Sequence, residues 1–488
     1  MQRWSALFIG GVLAWSAGSA LAQQTLPQAP QKIPQQITAQ VAQSAKPRAG
    51  QQVTLQHALA AAYSNNPVLL QERAHLRSID ENVPTALAGW HPTIIGNGQA
   101  GFAAGTFFFF APPVIAAQRG FNLGQLTITQ PIYTGGKVHA QVAQAKNQVM
   151  AERARLIATE QQVFQQAVSA YVGVIAAQQI LQLNINNELV LTKQLEATTD
   201  RFRVGELTRT DVAQAEAALA AARSQRETAE GNLETARATY RQVIGEEPAN
   251  LIEPQPLKLP VKTNDAANRL AAANNPTVVA ALFDDATAKD ALDAAYAALM
   301  PSINVQAQGF SINNQSFPQS YSRGGTLTAN LNLPIYQGGS EYAAIRAARQ
   351  SEQAARKALD NARRVAVQQA TAAWQTLMAA RAAVESDRAS VRANEIALEG
   401  IQREALVGSR TILDVLITTQ QLLTSEVTLV QDLATLVNSS YNLAAAVGRL
   451  TARDLALPVP LYDETAYYNA VRSRWFGTGD YATDQPGR

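Results

Sequence analysis

Two short stretches hold the residues best placed to do chemistry. They read Arg203-Val204-Gly205-Glu206-Leu207-Thr208-Arg209-Thr210-Asp211-Val212 and Val407-Gly408-Ser409-Arg410-Thr411-Ile412-Leu413-Asp414-Val415-Leu416. In each, a glycine is followed by a threonine and then an aspartate. Glycine suits the left-handed residue that ends a helix. Threonine suits the start of the next helix, and a carboxylate in its first turn is favoured by the helix dipole. The pattern predicts two helix–turn–helix tips, each presenting an aspartate.

Other candidates carry less. Gly96-Asn97-Gly98-Gln99-Ala100-Gly101 spells a dinucleotide fingerprint, but the residues that follow are Phe102 to Phe110 and not a helix, and context is what gives that motif meaning. His57, His75, His91 and His139 have no metal-ligand spacing to one another or to acids. Asp284-Asp285 reads as an exposed helix face. No nucleophile, base and orienting acid fall together, so neither an enzyme nor a cofactor is expected.

The elements that carry the tips occur twice. Asn65-Asn66-Pro67 returns as Asn274-Asn275-Pro276, and Pro92-Thr93-Ile94 as Pro301-Ser302-Ile303, both 209 positions on. Pro131-Ile132-Tyr133-Thr134-Gly135-Gly136 returns as Pro334-Ile335-Tyr336-Gln337-Gly338-Gly339, and Val204-Gly205 with Asp211 as Val407-Gly408 with Asp414, both 203 positions on. A shared order at nearly constant offset means a duplicated unit of about two hundred residues. Each unit reads helix, two strands, very long helix, turn, medium helix. The first helix is expected from about Leu55 to Gly89, and again near Ala266 to Met300. The long helices follow Gly136 and Gly339 and end at Arg203 and Leu406. Neither contains a proline, and at 1.5 Å per residue each would span roughly 100 Å. Apolar residues recur in sevens, as Val142, Val149, Leu156, Val163 and Ala170, and as Val415, Leu422, Leu429, Leu436 and Leu443. Such rows imply left-handed coiling against neighbours.

The flanks set the compartment. Arg3, an apolar run from Leu7 to Leu21 and Ala20-Leu21-Ala22 read as a signal peptide over residues 1–22. Residues 23–52, rich in Gln and Pro, read as a flexible arm. Beyond the signal no run of about 18 apolar residues offers a membrane-spanning helix. The chain has no cysteine, which excludes disulfides and a lipoprotein anchor, and its net charge of +2 argues against nucleic acid as the main partner.

Strands about 93–103, 121–131, 302–310 and 326–335 alternate apolar with uncharged polar residues. Ile303, Val305 and Ala307 alternate with Asn304, Gln306 and Gln308; Leu327, Ala329 and Leu331 alternate with Thr328 and Asn330. Period-two alternation marks a sheet between two solvents. Lipid outside and water inside is the transmembrane-barrel case. Four strands cannot close a barrel, and an open edge in lipid leaves backbone groups unsatisfied at several kcal/mol each. Other copies must complete it: two give eight strands, three give twelve. At one hairpin tip, Phe107 to Phe110 read either as an aromatic anchor or mouth-constricting loop, or as a loop packed on its own barrel.

The Asn-Asn-Pro turns, the Pro-Ile-Tyr-x-Gly-Gly strand exits and the two tip sequences, duplicated and in order from Val53 to Leu457, resemble the TolC family of outer-membrane efflux proteins. The resemblance implies a mainly α fold with a transmembrane β part. It would be a homotrimer with one 12-stranded β-barrel in outer-membrane lipid, continued by a 12-helix coiled-coil periplasmic tunnel. It implies a first repeat over 53–253, a second over 254–457 and a C-terminal periplasmic tail over 458–488. A belt would use Glu246 to Lys262 and Arg453 to Tyr462. It implies a passive exit duct of a tripartite efflux or type I secretion system, served by a periplasmic adaptor protein and an inner-membrane RND-type or ABC-type transporter. Asp414, three times around the axis, would form an anionic ring at the periplasmic aperture, with Arg410 and Asp211 in the closing contacts. Val204, Gly205, Val407 and Gly408 would receive the adaptor. Two residues depart from the pattern: Ile417 replaces a second acid, and Ala405 an aromatic. The rival reading is a periplasmic coiled-coil adaptor or scaffold without channel activity. It leaves the alternating strands unexplained, and no lipoyl-like domain interrupts either repeat.

Overall fold

Proline, glycine and threonine set most of the helix boundaries. The computed structural model describes residues 53–107, 115–258, 261–315, 319–479 and 481. The signal peptide, the arm and Phe108 to Phe110 therefore lie outside the described residues. The first repeat runs α1 (Leu55–Asn65), α2 (Pro67–Asp80), α3 (Asn82–Leu87), β1 (Thr93–Phe107), β2 (Ile115–Tyr133), α4 (Lys137–Arg203) and α5 (Arg209–Ile244). The second runs α6 (Asn264–Asn274), α7 (Pro276–Tyr296), β3 (Ser302–Asn313), β4 (Tyr321–Asn332), α8 (Ser340–Leu406) and α9 (Ile412–Ala446). A last short helix, α10, spans Ala466–Val471.

The expected single helix over Leu55 to Gly89 is broken, as is its second copy. The residue before a proline is pushed out of the helical region, and Asn66 and Asn275 are extended, at ψ 121° and 127°. Each asparagine then does two jobs. Its Oδ1 accepts from the backbone of Val68 (2.9 Å) or Thr277 (3.0 Å), capping the next helix. Its Nδ2 donates to the Val243 carbonyl (2.8 Å) or the Ala446 carbonyl (3.1 Å) at the end of α5 or α9. The repeated Asn-Asn-Pro is a stitch between the start and finish of each repeat.

Gly448 follows α9 in the left-handed region, at φ +75°, and a Cβ there would lie 2.4 Å from the Asn274 carbonyl oxygen. Gly448→Ala therefore combines a left-handed penalty of about 1–2 kcal/mol with backbone displacement at the stitch. Thermal unfolding of the purified protein is expected to show a lowered midpoint. The corresponding Gly245→Ala, where the nearest atom is the Asn65 Cβ at 3.4 Å, should cost less.

α4 and α8 each run 67 residues. Val149, Leu156, Val163 and Ala170 of the seven-residue row are buried, and Phe164 and Tyr171, each one position further on than a row member, join them, whereas Met150, next to Val149, remains 38% exposed. α4 also contains a window with a mean hydropathy of 1.3, enough by composition for a membrane span. That corrects the sequence reading, but the apolar residues have a nearer explanation. Val163, Phe164, Val168, Tyr171, Val172 and Ile175 of α4 enter the main core with Leu59, Tyr240 and Tyr441.

The strands form one antiparallel meander, β1-β2-β3-β4. Three of them extend beyond the alternation: β1 and β3 continue to Phe107 and Asn313, and β2 occupies Ile115–Tyr133. β4 starts earlier, at Tyr321, and ends at Asn332 rather than near residue 335, since Pro334 cannot donate to a ladder. Register sets the faces, because residues directly opposite share one. Ile94 faces Ile128, which faces Ala307, which faces Leu327. One step along, Thr129 pairs with Thr93 and Gln306, and Gln306 pairs with Thr328. The alternation in four separate segments thus becomes one apolar face and one polar face.

The C-terminal segment is strapped along the first repeat. Buried Arg73 lies between the rings of Tyr63 (4.4 Å) and Tyr462 (5.2 Å) and donates to the Tyr63 carbonyl (3.1 Å). Glu160 accepts from the Ala452 backbone at 2.6 Å. Burial pushes the carboxyls of Glu160 and Asp80 up to about 7, and neither Asp80 oxygen has a hydrogen-bond partner among the described residues. Both groups bind a proton more tightly folded than unfolded. Their contribution is therefore most favourable at low pH and is lost as pH rises from the ordinary carboxylate range through about 7. Each loss is of order 3 kcal/mol. Denaturant titrations between pH 5 and 8 should show stability falling with pH. Glu160→Gln, which stays neutral, should flatten that fall.

Candidate functional site

Both long helices end in the same way. After α4, the Gly205 amide donates to the Phe202 carbonyl (3.0 Å) and the Glu206 amide to the Arg201 carbonyl (2.9 Å). After α8, Gly408 donates to Ala405 (3.3 Å) and Ser409 to Glu404 (3.0 Å). This pair of hydrogen bonds closes the last helical carbonyls and needs the left-handed residue, here Gly205 at φ +85° and Gly408 at φ +79°. Thr208 and Thr411 then cap α5 and α9.

The two aspartates sit inside those caps. The Thr411 amide and hydroxyl donate to Asp414 Oδ2 at 3.0 and 2.9 Å, and the Asp414 amide donates to Thr411 Oγ1 at 3.2 Å. At the other tip, Thr208 donates to Asp211 Oδ2 at 2.8 and 2.7 Å, with the Asp211 amide returning at 3.3 Å. These are reciprocal capping boxes with aspartate in the third position. The Thr411 hydrogen bonds, with Arg410 nearby, hold the Asp414 carboxyl below its ordinary range; Thr208 does the same for Asp211. Both aspartates are half-buried in their caps and anionic near neutral pH.

Arg410 Nε donates to Glu404 Oε2 at 2.9 Å, across the turn. At the first tip Arg201 Nε reaches Glu206 at 3.0 Å. Glu404 was not singled out by the sequence. It lies before the glycine, and only a left-handed turn of known geometry brings residues six apart together.

Ile412 and Leu416 of α9 pack with Leu191, Leu219 and Ala222 of α4 and α5, and with Leu207 of the first turn. Both tips therefore lie at one end of the helical body. Val204 and Val407 are 72% and 81% exposed there. Arg410 and Asp414 share one tip; Asp211 belongs to the other. The arrangement offers fixed anions, a guanidinium in an exposed ion pair and bare apolar turns. It offers charge and contact surface, with no group poised to transfer a proton or attack a bond.

The remaining candidates resolve into local roles. Gly96 to Gly101 lie within β1, which leads into another strand. Asp284 accepts both 2.8 Å bonds from Arg155, as an ion pair between α7 and α4. Asp285 is not on an exposed face; it is 4% exposed and pairs with Lys289. His75 approaches Glu152 at 3.5 Å, and His91 stacks on Trp475.

Known proteins share this fold. A family model described as outer membrane efflux protein matches residues 55–246 and 268–449, one match for each repeat. The outer membrane efflux protein BepC of Brucella suis biovar 1 (strain 1330) is 34% identical over 427 residues, covering 87% of this chain and 91% of that protein. The outer membrane protein TolC of Escherichia coli (strain K12) is 25% identical, covering 68% of this chain and 70% of that protein. Among solved structures, the Campylobacter jejuni CmeC outer membrane channel superposes with a TM-score of 0.71 at 17% identity, covering 88% of this chain and 94% of that one. The outer membrane protein VceC of Vibrio cholerae gives 0.70 at 18%, covering 81% and 96%. With both repeats matched and a relative aligned along nearly its whole length, the chain belongs to the outer membrane efflux protein family.

Proposed function

We propose that three copies of this chain form a passive exit duct through the outer membrane, with a 12-stranded barrel continued by a 12-helix periplasmic tunnel. The observation that carries it is the two-faced sheet with β1 and β4 as free edges. A sheet in lipid must close, and four strands are too few. Identical edges joined by rotation, β4 of one copy against β1 of the next, close it without new sequence. Three copies give a barrel wide enough for the polar face to line water.

The helices support the same count of neighbours. α7 packs between α4 and α8, whereas its first-repeat counterparts α2 and α3 pack on α4 alone among the long helices. α8 buries mainly one stripe, including Ile345, Glu352, Leu359 and Ala366, while α4 is buried on several sides. The missing neighbour of α8 is the first repeat of the next copy.

At the tips, threefold rotation brings three Asp414 side chains around one aperture, as an anionic ring that concentrates cations. Arg410 and Asp211 take part in holding that aperture closed. Val204, Gly205, Val407 and Gly408 form the surface where a periplasmic adaptor docks, coupling the duct to an inner-membrane RND-type or ABC-type transporter. The 53–253 and 254–457 repeats and the 458–488 tail are the working parts. The adaptor or scaffold alternative has no feature of the sheet in its favour.

The test is direct. Protein extracted from outer membranes should run as a heat-modifiable trimer and pass current in planar bilayers. A soluble monomer that neither inserts nor conducts would overturn the reading.

A further inference from the structure

We propose that the C-terminal segment from Tyr462 to Phe476 is a strap that seats Trp475 and Phe476 in the phospholipid headgroup layer on the periplasmic side of the outer membrane. This rests on the reading of the sheet as a membrane barrel.

The segment follows α2 and α3 toward the sheet. The Tyr462 amide donates to the Tyr63 hydroxyl at 3.0 Å. The Tyr467 hydroxyl donates to Glu81 at 2.8 Å. Tyr468 packs near Val83 and Val149, with Arg153 5.5 Å above its ring. Trp475 stacks on His91, two residues before β1, with ring centres 4.0 Å apart. Each successive contact lies further along the first repeat.

The aromatic partners of the strap are not duplicated, although Glu81 and Arg153 keep an acid and an arginine at Asp290 and Arg356. At the 209-residue offset, Tyr63, Arg73, Asp80 and His91 correspond to Ala272, Leu282, Lys289 and Met300. The second repeat therefore lacks the ring of Tyr63, the buried Arg73 and the His91 on which Trp475 stacks. The holding residues thus belong to the strap and not to the general repeat.

The strap ends where it exposes its largest apolar side chains. Trp475 is 58% and Phe476 88% exposed. The register places Thr93 against Thr129 and Ser302 against Asn332, so the helix-side end of the sheet lies beside His91. Trp90, Ile132, Tyr133, Leu333, Ile335 and Tyr336 are exposed around that same end. The patch is continuous with the apolar sheet face and rimmed by aromatics, the composition found where a barrel leaves lipid. Tryptophan favours that depth because its ring is amphipathic. Arg472 and Arg474, both exposed, flank the aromatics and suit anionic headgroups.

Tryptophan fluorescence tests this. The exported protein carrying Trp90→Phe and Trp374→Phe keeps Trp475 as its one tryptophan after residue 22. It is placed in phospholipid vesicles brominated near the headgroup end of the acyl chains, and conductance is measured on the same preparation. Emission about half or less of that in unbrominated vesicles is expected, as for an interfacial indole. Quenching no greater than that of a matched protein retaining only Trp374, in vesicles that conduct, would overturn the strap while leaving the barrel intact. Absence of both insertion and conductance would overturn the barrel reading, and the strap with it.

Discussion

Asp414→Asn should weaken trivalent-cation block of single-channel current about thirtyfold. In the proposed trimer, three carboxylates about 6 Å from an ion on the axis would each attract a +3 charge by roughly 2 kcal/mol even at the dielectric of water. Salt screening, the nearby Arg410 and the ions' hydration leave about a third of the total, near 2 kcal/mol. Asparagine keeps an oxygen to accept from Thr411, so the α9 cap survives. Asp414→Ala also removes the carboxylate half of the capping box, while the Thr411 hydroxyl keeps the residue-414 amide, and should add a modest stability loss without further weakening the block. Block unchanged in the asparagine variant would reduce Asp414 to its capping role. Since hydrogen bonds from Thr411 lower its pKa, wild-type block should persist as pH falls through the ordinary carboxylate range and fade only below it. Ile417 lies one helical turn beyond Asp414 on α9, so Ile417→Asp, by adding a second carboxylate, should strengthen block.

A single arginine on the apolar face of the sheet should nearly abolish assembled channel. Leu327 lies on the face shared with Ile128 and Ala307 and is 76% exposed in the protomer. Arginine at the bilayer midplane costs about 2–4 kcal/mol per site, and the proposed trimer would carry it three times. Its neighbour Thr328 is on the polar face opposite Gln306, where an arginine would meet water. Heat-modifiable trimer in outer-membrane fractions should therefore fall sharply for Leu327→Arg and stay near wild type for Thr328→Arg. Equal loss from both substitutions would mean that the sheet does not divide lipid from water.

Much of this architecture is written in local signals. Gly136 and Gly339 start the long helices and Gly205 and Gly408 end them, because each position is left-handed and only glycine adopts that conformation freely. The strand faces were legible because one-step alternation needs no knowledge of partners. Strand lengths were less so: at the far end Phe121 covers Gly101 and Phe310 covers Gly324 on the polar face, which blurs the alternation. The break at Asn66 is signalled by Pro67, although the helical pattern runs on without change on both sides of it. Asp285 read as solvent-facing because sequence cannot say which helix packs over it.

The tips were readable for a similar reason, and incompletely. The spacing from Thr411 to Asp414 is a local rule, so the first-turn carboxylate was visible, whereas the pairing of Arg410 with Glu404 depends on a turn between two helices. The strap was invisible. Arg73 meets Tyr462, and Glu160 meets Ala452, across hundreds of positions. No periodicity records a contact of that kind.

The central claim is that the four strands separate lipid from water, and cysteine scanning along β3 tests it most directly. The chain contains no cysteine, so each introduced thiol reports alone. Single cysteines from Ile303 to Gln308, in channels reconstituted in vesicles, are offered a charged, membrane-impermeant thiol reagent. Cysteines at Asn304, Gln306 and Gln308 should react readily and lower conductance, and those at Ile303, Val305 and Ala307 should be protected. Uniform reactivity along the strand, with no period of two, would contradict the account.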